Sequence, residues 1–291
     1  MNDTLKACLW MTGAIASFTT MAVAGRAVSL DLDTFEIMLY RSLIGIVIVL
    51  SVASLAGTRR HISANKLRLH AVRNLFHFAG QNLWFFSITA IPLAQVFALE
   101  FTLPFWAMAM SVVILGEKLT PNRVLAAAVG FIGILVVTRP SPETVQFGQL
   151  TAALAAIGFA GSAVFTRLLT RTEKITSILF WLTVMQAVFG LVCAGIDGAI
   201  ALPEPASWPW VVVIAFAGLV AHFCLTTALS LAPATIVMPI DFARLPVIAI
   251  VGMLLYAEAL DPFVFLGALI IFAANYANIW YETRRRPAPA G

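Results

Sequence analysis

The sequence predicts an all-α membrane protein of ten transmembrane helices, arranged as two inverted five-helix repeats around a central cavity. Three observations carry this. First, 61% of the 291 residues are hydrophobic and only 11% are charged, with a mean hydropathy of +0.95. A soluble domain carries about 25% charged residues, and a water-soluble fold of this length has no interior large enough for so much apolar surface. Second, the apolar residues fall into ten runs near the roughly 20 residues a helix needs to cross hydrocarbon. Third, the chain repeats itself once at a constant offset. Pro92 answers to Pro233, Glu117 to Glu258, Leu119 to Leu260 and Pro121 to Pro262, each 141 residues on. Phe18 and Phe159, Ala22 and Ala163, and Arg26 and Arg167 keep the same register. Five spans per half is an odd number, so the second copy enters from the opposite face.

The spans follow in order. In the first half they cover 5–24, 34–56, 69–89, 92–115 and 121–139; in the second, 148–168, 175–198, 208–230, 233–256 and 262–281. The first run lacks a small-residue cleavage site and is expected to stay as a span. Ile91-Pro92, Ala232-Pro233, Thr120-Pro121 and Asp261-Pro262 mark breaks, because proline suits a first helical turn and disfavours helix in the residue before it. The polar stretch from Arg139 to Glu143 is the joint between the repeats, giving boundaries of 1–140 and 141–291.

Orientation follows from lysine and arginine. Lys6, Arg59, Arg60, Lys66, Arg68, Lys118, Arg123, Arg167, Arg171, Lys174 and Arg284 to Arg286 all fall on one side if the count is ten. The other side holds Arg26 and Arg139, with Asp31, Asp33, Asp197 and Glu204. Both termini are therefore expected in the cytoplasm, and the protein in a bacterial-type inner membrane. The net charge of +4 is dispersed between apolar runs, which argues against nucleic acid. Cys8, Cys193 and Cys224 are scattered in apolar stretches with neither metal-ligand nor disulfide spacing.

The stretch from Pro92 to Arg139 carries Pro104 in mid-span, then Gly116-Glu117-Lys118-Leu119-Thr120, then a span with Gly130 and Gly133. It resembles the fourth and fifth spans of the drug/metabolite transporter superfamily, in its ten-span EamA-like branch. The second half fits more loosely, with Ala257-Glu258-Ala259-Leu260-Asp261-Pro262 in place of that motif and Pro246 in mid-span. Arg41 stands where such proteins often carry an arginine. The resemblance implies alternating access through a bundle with a cavity between the repeats. It identifies a superfamily and leaves the substrate open: members export amino acids and other metabolites, and some import compounds such as riboflavin or S-adenosylmethionine.

Ionisable residues in mid-span cost about 2.5–3.5 kcal/mol each on insertion scales, so they face a cavity or a partner. Glu100 and Asp241 are repeat mates, and place acidic groups at matching depth in both halves. They read as a protonatable pair, as anchors for an ammonium group, or as partners in ion pairs; Arg244, three residues after Asp241, shares its helical face. Asn74, His77, Gln81 and Trp84 form one stripe on the third span, either a cavity wall or a hydrogen-bonded seam between helices. His77 is a candidate proton carrier, since a free imidazole titrates near neutral pH, and His222 is the repeat mate of Gln81. Arg41 either binds a substrate carboxylate or clamps Glu36 or another acidic group. Trp106 follows Pro104, where a loosened helix exposes it to cavity or lipid. Trp10, Trp181, Trp208, Trp210, Trp280 and Tyr281 read as interfacial anchors. Glu117 and Glu258 are expected to tie helix ends.

These features point to a secondary transporter of a small metabolite. An exporter of amino acids or related compounds is the first expectation, with Glu100 and Asp241 set against Arg244 and Arg41 to hold a zwitterion. An importer of a vitamin or cofactor-like solute is the alternative. Proton coupling, exchange and uncoupled diffusion are all open to it. No phosphate-cradling Gly-x4-Gly-Lys-Ser/Thr loop is present to harness ATP, and neither His-Glu-x-x-His nor Gly-x-Ser-x-Gly suggests an enzyme. Membrane lipid and a small-molecule substrate are the expected partners, with no cofactor.

Overall fold

A computed structural model describes residues 3–116, 120–139, 146–196, 198–231 and 240–285. Glu117, Lys118, Leu119, Glu143, Asp197, Ala232, Pro233 and Arg286, used above, lie outside the described residues. The helices are α1 (Asp3–Val28), α2 (Thr34–Leu55), α3 (Leu67–Ala90), α4 (Leu93–Glu100), α5 (Leu103–Leu115), α6 (Pro121–Thr138), α7 (Phe147–Leu169), α8 (Ile175–Ala194), α9 (Trp208–Leu231), α10 (Arg244–Tyr256) and α11 (Pro262–Arg285). No strand occurs among the described residues.

Six of these stretches are long and apolar enough to cross a membrane, the broken helix Leu93–Ile114 among them. Helix α3 is not in that set although it has 24 residues. Its Arg73, Asn74, His77 and Gln81 dilute its hydropathy, and all four are buried inside the bundle. Leu43, Val47, Val113, Leu191 and Leu254, by contrast, are exposed on the outer surface, as lipid-facing positions require.

The fourth predicted span is two helices. Pro104 has no N–H to donate, and its ring disfavours the carbonyl of Glu100 one turn back. Helix α4 therefore stops at Glu100 and α5 restarts at Leu103. The second half breaks at the same register: Phe242 and Ala243 form a turn before α10. Thr102 N donates to Leu99 O, and its mate Ala243 N donates to Ile240 O, both at 3.0 Å. The breaks are 141 residues apart although Pro104 and Pro246 are 142 apart, so the fold, rather than the proline position alone, sets the pause.

Helix pairing obeys a two-fold relation between the halves. Helix α1 packs along α9 and α3 along α7, and exchanging the repeats converts one pair into the other. The pairs α2 with α8 and α6 with α11 map onto themselves, as contacts across a two-fold must. Small residues permit close crossings: a methyl group added at Gly158 would sit 2.7 Å from Gly80 Cα, so α3 and α7 touch backbone to backbone.

The inversion is visible in side chains. Glu36 Oε1 accepts from Ala201 N at 2.6 Å, and Tyr40 donates to Ala201 O at 2.7 Å. Their repeat mates Ser177 and Trp181 grip Ser63 instead, Trp181 Nε1 donating to Ser63 O at 2.6 Å. Ser63 follows the C-terminal end of α2, whereas Glu36 begins it, and 22 residues of helix span about 33 Å. Equivalent residues thus hold linkers on opposite faces. Trp181 is accordingly tied to a linker as well as placed near a span end.

Candidate functional site

The broken helices bring the two mid-span carboxylates together on one arginine. Arg244 Nη2 donates to Glu100 Oε1 at 3.1 Å and to Asp241 Oδ2 at 3.2 Å. Trp84, reaching from α3, donates its Nε1–H to Glu100 Oε2 at 3.0 Å. Glu100 ends α4, where the helix dipole disfavours a negative charge, and the cation supplied by the other repeat offsets this. The pair between Asp241 and Arg244 is the one expected from their spacing. The partner of Glu100 is a tertiary contact that no spacing within α4 reveals. Two carboxylates thus share one guanidinium. Asp241 Oδ1 and Arg244 Nε have no hydrogen-bond partner among the described residues.

Aromatic faces surround this charge. The Arg244 guanidinium lies 4.8 Å from the Phe18 ring centre, 4.9 Å from Phe97 and 5.3 Å from Phe101. Such cation–π contacts contribute about 0.5–2 kcal/mol each, most where water is excluded. Phe18, already matched to Phe159 by the repeat, was not expected to have this role; its register with Phe159 was the available signal. Phe18 also meets His222 edge to face at 5.7 Å, and His222 lies 6.3 Å from His77, which in turn rests 6.0 Å from Phe159. The repeat mates Phe18 and Phe159 therefore flank a pair of histidines, one from each half. A continuous track of charge, rings and imidazoles runs from Asp241 to His77.

The third-span stripe divides in function. Asn74 donates to His70 O and Trp181 O, and accepts from Arg73 Nη1 at 2.9 Å, while its backbone oxygen accepts from Gln186 Nε2 at 2.9 Å. It forms the hydrogen-bonded seam between α3 and α8. His77 Nε2 has no hydrogen-bond partner among the described residues, Gln81 is buried, and Trp84 holds Glu100. Trp106 is 41% exposed and is not among the rings that surround Arg244.

Arg41 does not clamp Glu36. Both Glu36 oxygens are engaged, by Asp33 N in a capping box and by Ala201 N. Arg41 Nη1 has no hydrogen-bond partner among the described residues, and the guanidinium lies 5.9 Å from the Phe85 ring centre. It borders a cavity of about 30 Å³ between α2, α8 and α9, with Thr183, Gln186 and His222. Among the described residues no three His, Cys, Asp or Glu side chains come together to hold a metal ion.

One face of the bundle is latched. Arg26 pairs with Glu258 and also donates to Ile88 O and Ile91 O, while Glu258 accepts from Leu93 N at 3.0 Å. Tyr256 lies under the Arg26 guanidinium at 4.5 Å. Arg139 pairs with Asp261 over the Phe263 ring. Both arginines on the sparsely charged side are thus spent on bridges from the first half to the second. The expectation that Glu258 ties helix ends describes this latch.

Comparison with known proteins places this arrangement. A profile of the EamA-like transporter family matches residues 5–139 and again 146–280. A riboflavin transporter of Brucella anthropi is 31% identical over 271 residues, 91% of this chain and 95% of its own. An S-adenosylmethionine uptake transporter of Rickettsia felis is 26% identical over 98% of this chain and 97% of its own, and a pseudopaline exporter of Pseudomonas aeruginosa is 25% identical over 94% and 96%. A solved crystal structure superposes with a TM-score of 0.69 at 17% identity, covering 96% of this chain and 99% of that one, which supports the fold. The chain is a multi-pass membrane protein and belongs to the EamA-like transporter family, whose members move small molecules rather than transform them.

Proposed function

We propose that this protein takes up a cofactor-sized solute, one with a planar ring and a polar end, across the bacterial cytoplasmic membrane by alternating access. The observation that carries this reading is the collection of ring faces, Phe18, Phe97 and Phe101, around the buried Arg244, Glu100 and Asp241 at the interface of the two repeats. Aromatic side chains stack planar solutes, and a charged cluster in a dry site fixes their polar end. The relatives named for riboflavin and for S-adenosylmethionine uptake support the same solute class.

In this reading the two halves, 1–140 and 141–291, rock against each other with both termini in the cytoplasm. The latch at Arg26 and Arg139 closes the face away from them. Glu100, Asp241, Arg244, His77, Gln81, Trp84 and His222 line the route, with Arg41 beside it; Asn74 sets the helix spacing, and Trp106 stands on its outer side. Protonation of Glu100 or Asp241 would loosen the grip on Arg244, which gives proton coupling a physical route; exchange needs none.

Export of an amino acid or related zwitterion is the second reading. The opposed charges of Glu100 and Asp241 against Arg244 and Arg41 favour it, as does the relative named as a pseudopaline exporter. Counterflow in proteoliposomes separates the two. Uptake of labelled riboflavin or S-adenosylmethionine against the same unlabelled compound supports the first reading. Exchange of amino acids alone supports the second, and exchange of nothing across both panels contradicts transport of this class.

A further inference from the structure

Two linkers on one face carry a set of cations that no contact within the fold uses. The linker from α2 to α3 holds Arg59, Arg60 and Lys66, with Arg68 in the first turn of α3, and the turn from α7 to α8 holds Arg171 and Lys174. The first linker lies against the second helix of that turn: the short turn Arg59–His61 packs on α2 and α8, and Ser63 N donates to Ser177 Oγ at 3.1 Å. All six cations are exposed, and none makes an ion pair among the described residues. Across 56–66 and 170–174 the only acid is Glu173. Helices α3 and α8 each start after a lysine, Lys66 and Lys174, with no side-chain cap and no acid in the first turn. A helix start disfavours cations and favours anions, so both starts add to the positive potential of this face.

The repeat shows that the fold does not require these charges. The equivalent linker, 197–207, lies on the opposite face and holds no lysine or arginine; Arg59, Arg60 and Lys66 answer to Ile200, Ala201 and Ser207. It is nonetheless gripped, at Ala201 by Glu36 and Tyr40, just as Ser63 is by Ser177 and Trp181. Exposed apolar side chains flank the cations at the same helix ends: Leu55 closes α2, Leu67 opens α3 and Ile175 opens α8. We propose that this face binds the anionic phospholipid headgroups of the adjoining leaflet. The six cations meet phosphate oxygens, while Leu55, Leu67 and Ile175 enter the acyl chains beneath. Basic side chains at the ends of spanning helices reach headgroup depth on their apolar stems. Their attraction to an anionic surface is worth about fivefold in affinity per cation and fades within a Debye length. The apolar border selects a lipid over a soluble anion, and the surface is the same whichever solute the protein carries.

Lipid titration of the purified full chain in maltoside micelles tests this surface. The melting temperature is followed against phosphatidylglycerol and, separately, against phosphatidylcholine of the same acyl chains. The protein is already folded, so any part these charges play in setting orientation during synthesis does not enter. Phosphatidylglycerol should bind with an apparent affinity at least about tenfold above phosphatidylcholine at about 50 mM salt, and the preference should shrink severalfold at about 500 mM. Arg59→Gln with Arg60→Gln should cut the preference at least about fivefold and leaves the other four cations to hold the topology. Glu204→Gln, on the opposite face, should leave it unchanged. Equal affinity for the two lipids, a preference untouched by salt, or one that survives in full in the Arg59 and Arg60 double variant overturns the proposal. So does loss of the phosphatidylglycerol effect to an equal concentration of inorganic phosphate, which marks a soluble-anion site. The wild-type comparison and its salt series stand even if a variant fails to fold. Counterflow of solutes, which tests the transporter reading, is separate from all of these outcomes.

Discussion

Phe101 and Phe242 hold the same place in the two repeats, 141 residues apart, and their rings meet edge to face with centroids 4.7 Å apart. A residue that touches its own repeat mate lies on the two-fold relation between the halves. Glu100 and Asp241, one position earlier in each half, therefore flank that axis, and Arg244 closes on both. The mate of Arg244 is Leu103, so a symmetric frame carries an asymmetric charge.

Edge-to-face pairs contribute about 0.5–1.5 kcal/mol beyond area burial. A double-mutant cycle of Phe101→Leu and Phe242→Leu is expected to return a coupling energy in that range, measured by reversible unfolding in bicelles. Strictly additive effects would mean that the rings do not bind the repeats together.

Arg244 compensates two carboxylates, so its removal should harm the protein more than loss of either acid. Arg244→Ala leaves Glu100 and Asp241 buried with no cation, a change that costs about 3–5 kcal/mol for a buried pair. Folded yield by size-exclusion chromatography should collapse for Arg244→Ala and hold for Glu100→Gln, in which the amide oxygen still accepts from Trp84. Adding Glu100→Gln and Asp241→Asn to Arg244→Ala should recover folding in part.

Backbone contact between α3 and α7 leaves no room for a methyl group. Gly158→Ala places one 2.7 Å from Gly80 Cα, and overpacking of this kind costs about 1–3 kcal/mol. Gly218→Ala meets nothing nearer than Met21 Sδ at 3.4 Å and should leave the melting temperature unchanged. Equal melting temperatures for the two variants would contradict the close crossing.

Arg26 ties the end of α1 to the end of α3 within the first half and, through Glu258, to the segment after α10 in the second. Arg26→Gln should weaken the closure. In protein whose Cys8, Cys193 and Cys224 are replaced by serine, a cysteine at the buried Ala98 should react several times faster with a charged thiol reagent added from the Arg26 face. Unchanged labelling would show that other contacts hold this face shut.

The span count, the repeat and the pairing of Asp241 with Arg244 were legible because each is written in periodicity or spacing along the chain. The grip of Arg244 and Trp84 on Glu100 was not, because both partners come from other helices and depend on how the helices cross. Arg41 misled for the same reason. Glu36 looked available five residues away, but its oxygens go to a capping box and to a linker from the other half. The linker grips were readable in principle: Glu36 and Ser177, and Tyr40 and Trp181, are repeat mates, yet their chemical types differ too much for the register to be noticed.

The most direct measurement is counterflow by the Glu100→Gln, Asp241→Asn double variant in proteoliposomes, at folded yield matched to wild type and with the solute that wild type exchanges. If the inter-repeat cluster is the transport site, exchange falls at least about tenfold, as loss of charge-assisted contacts in a dry site requires. Exchange at the wild-type rate would contradict that assignment.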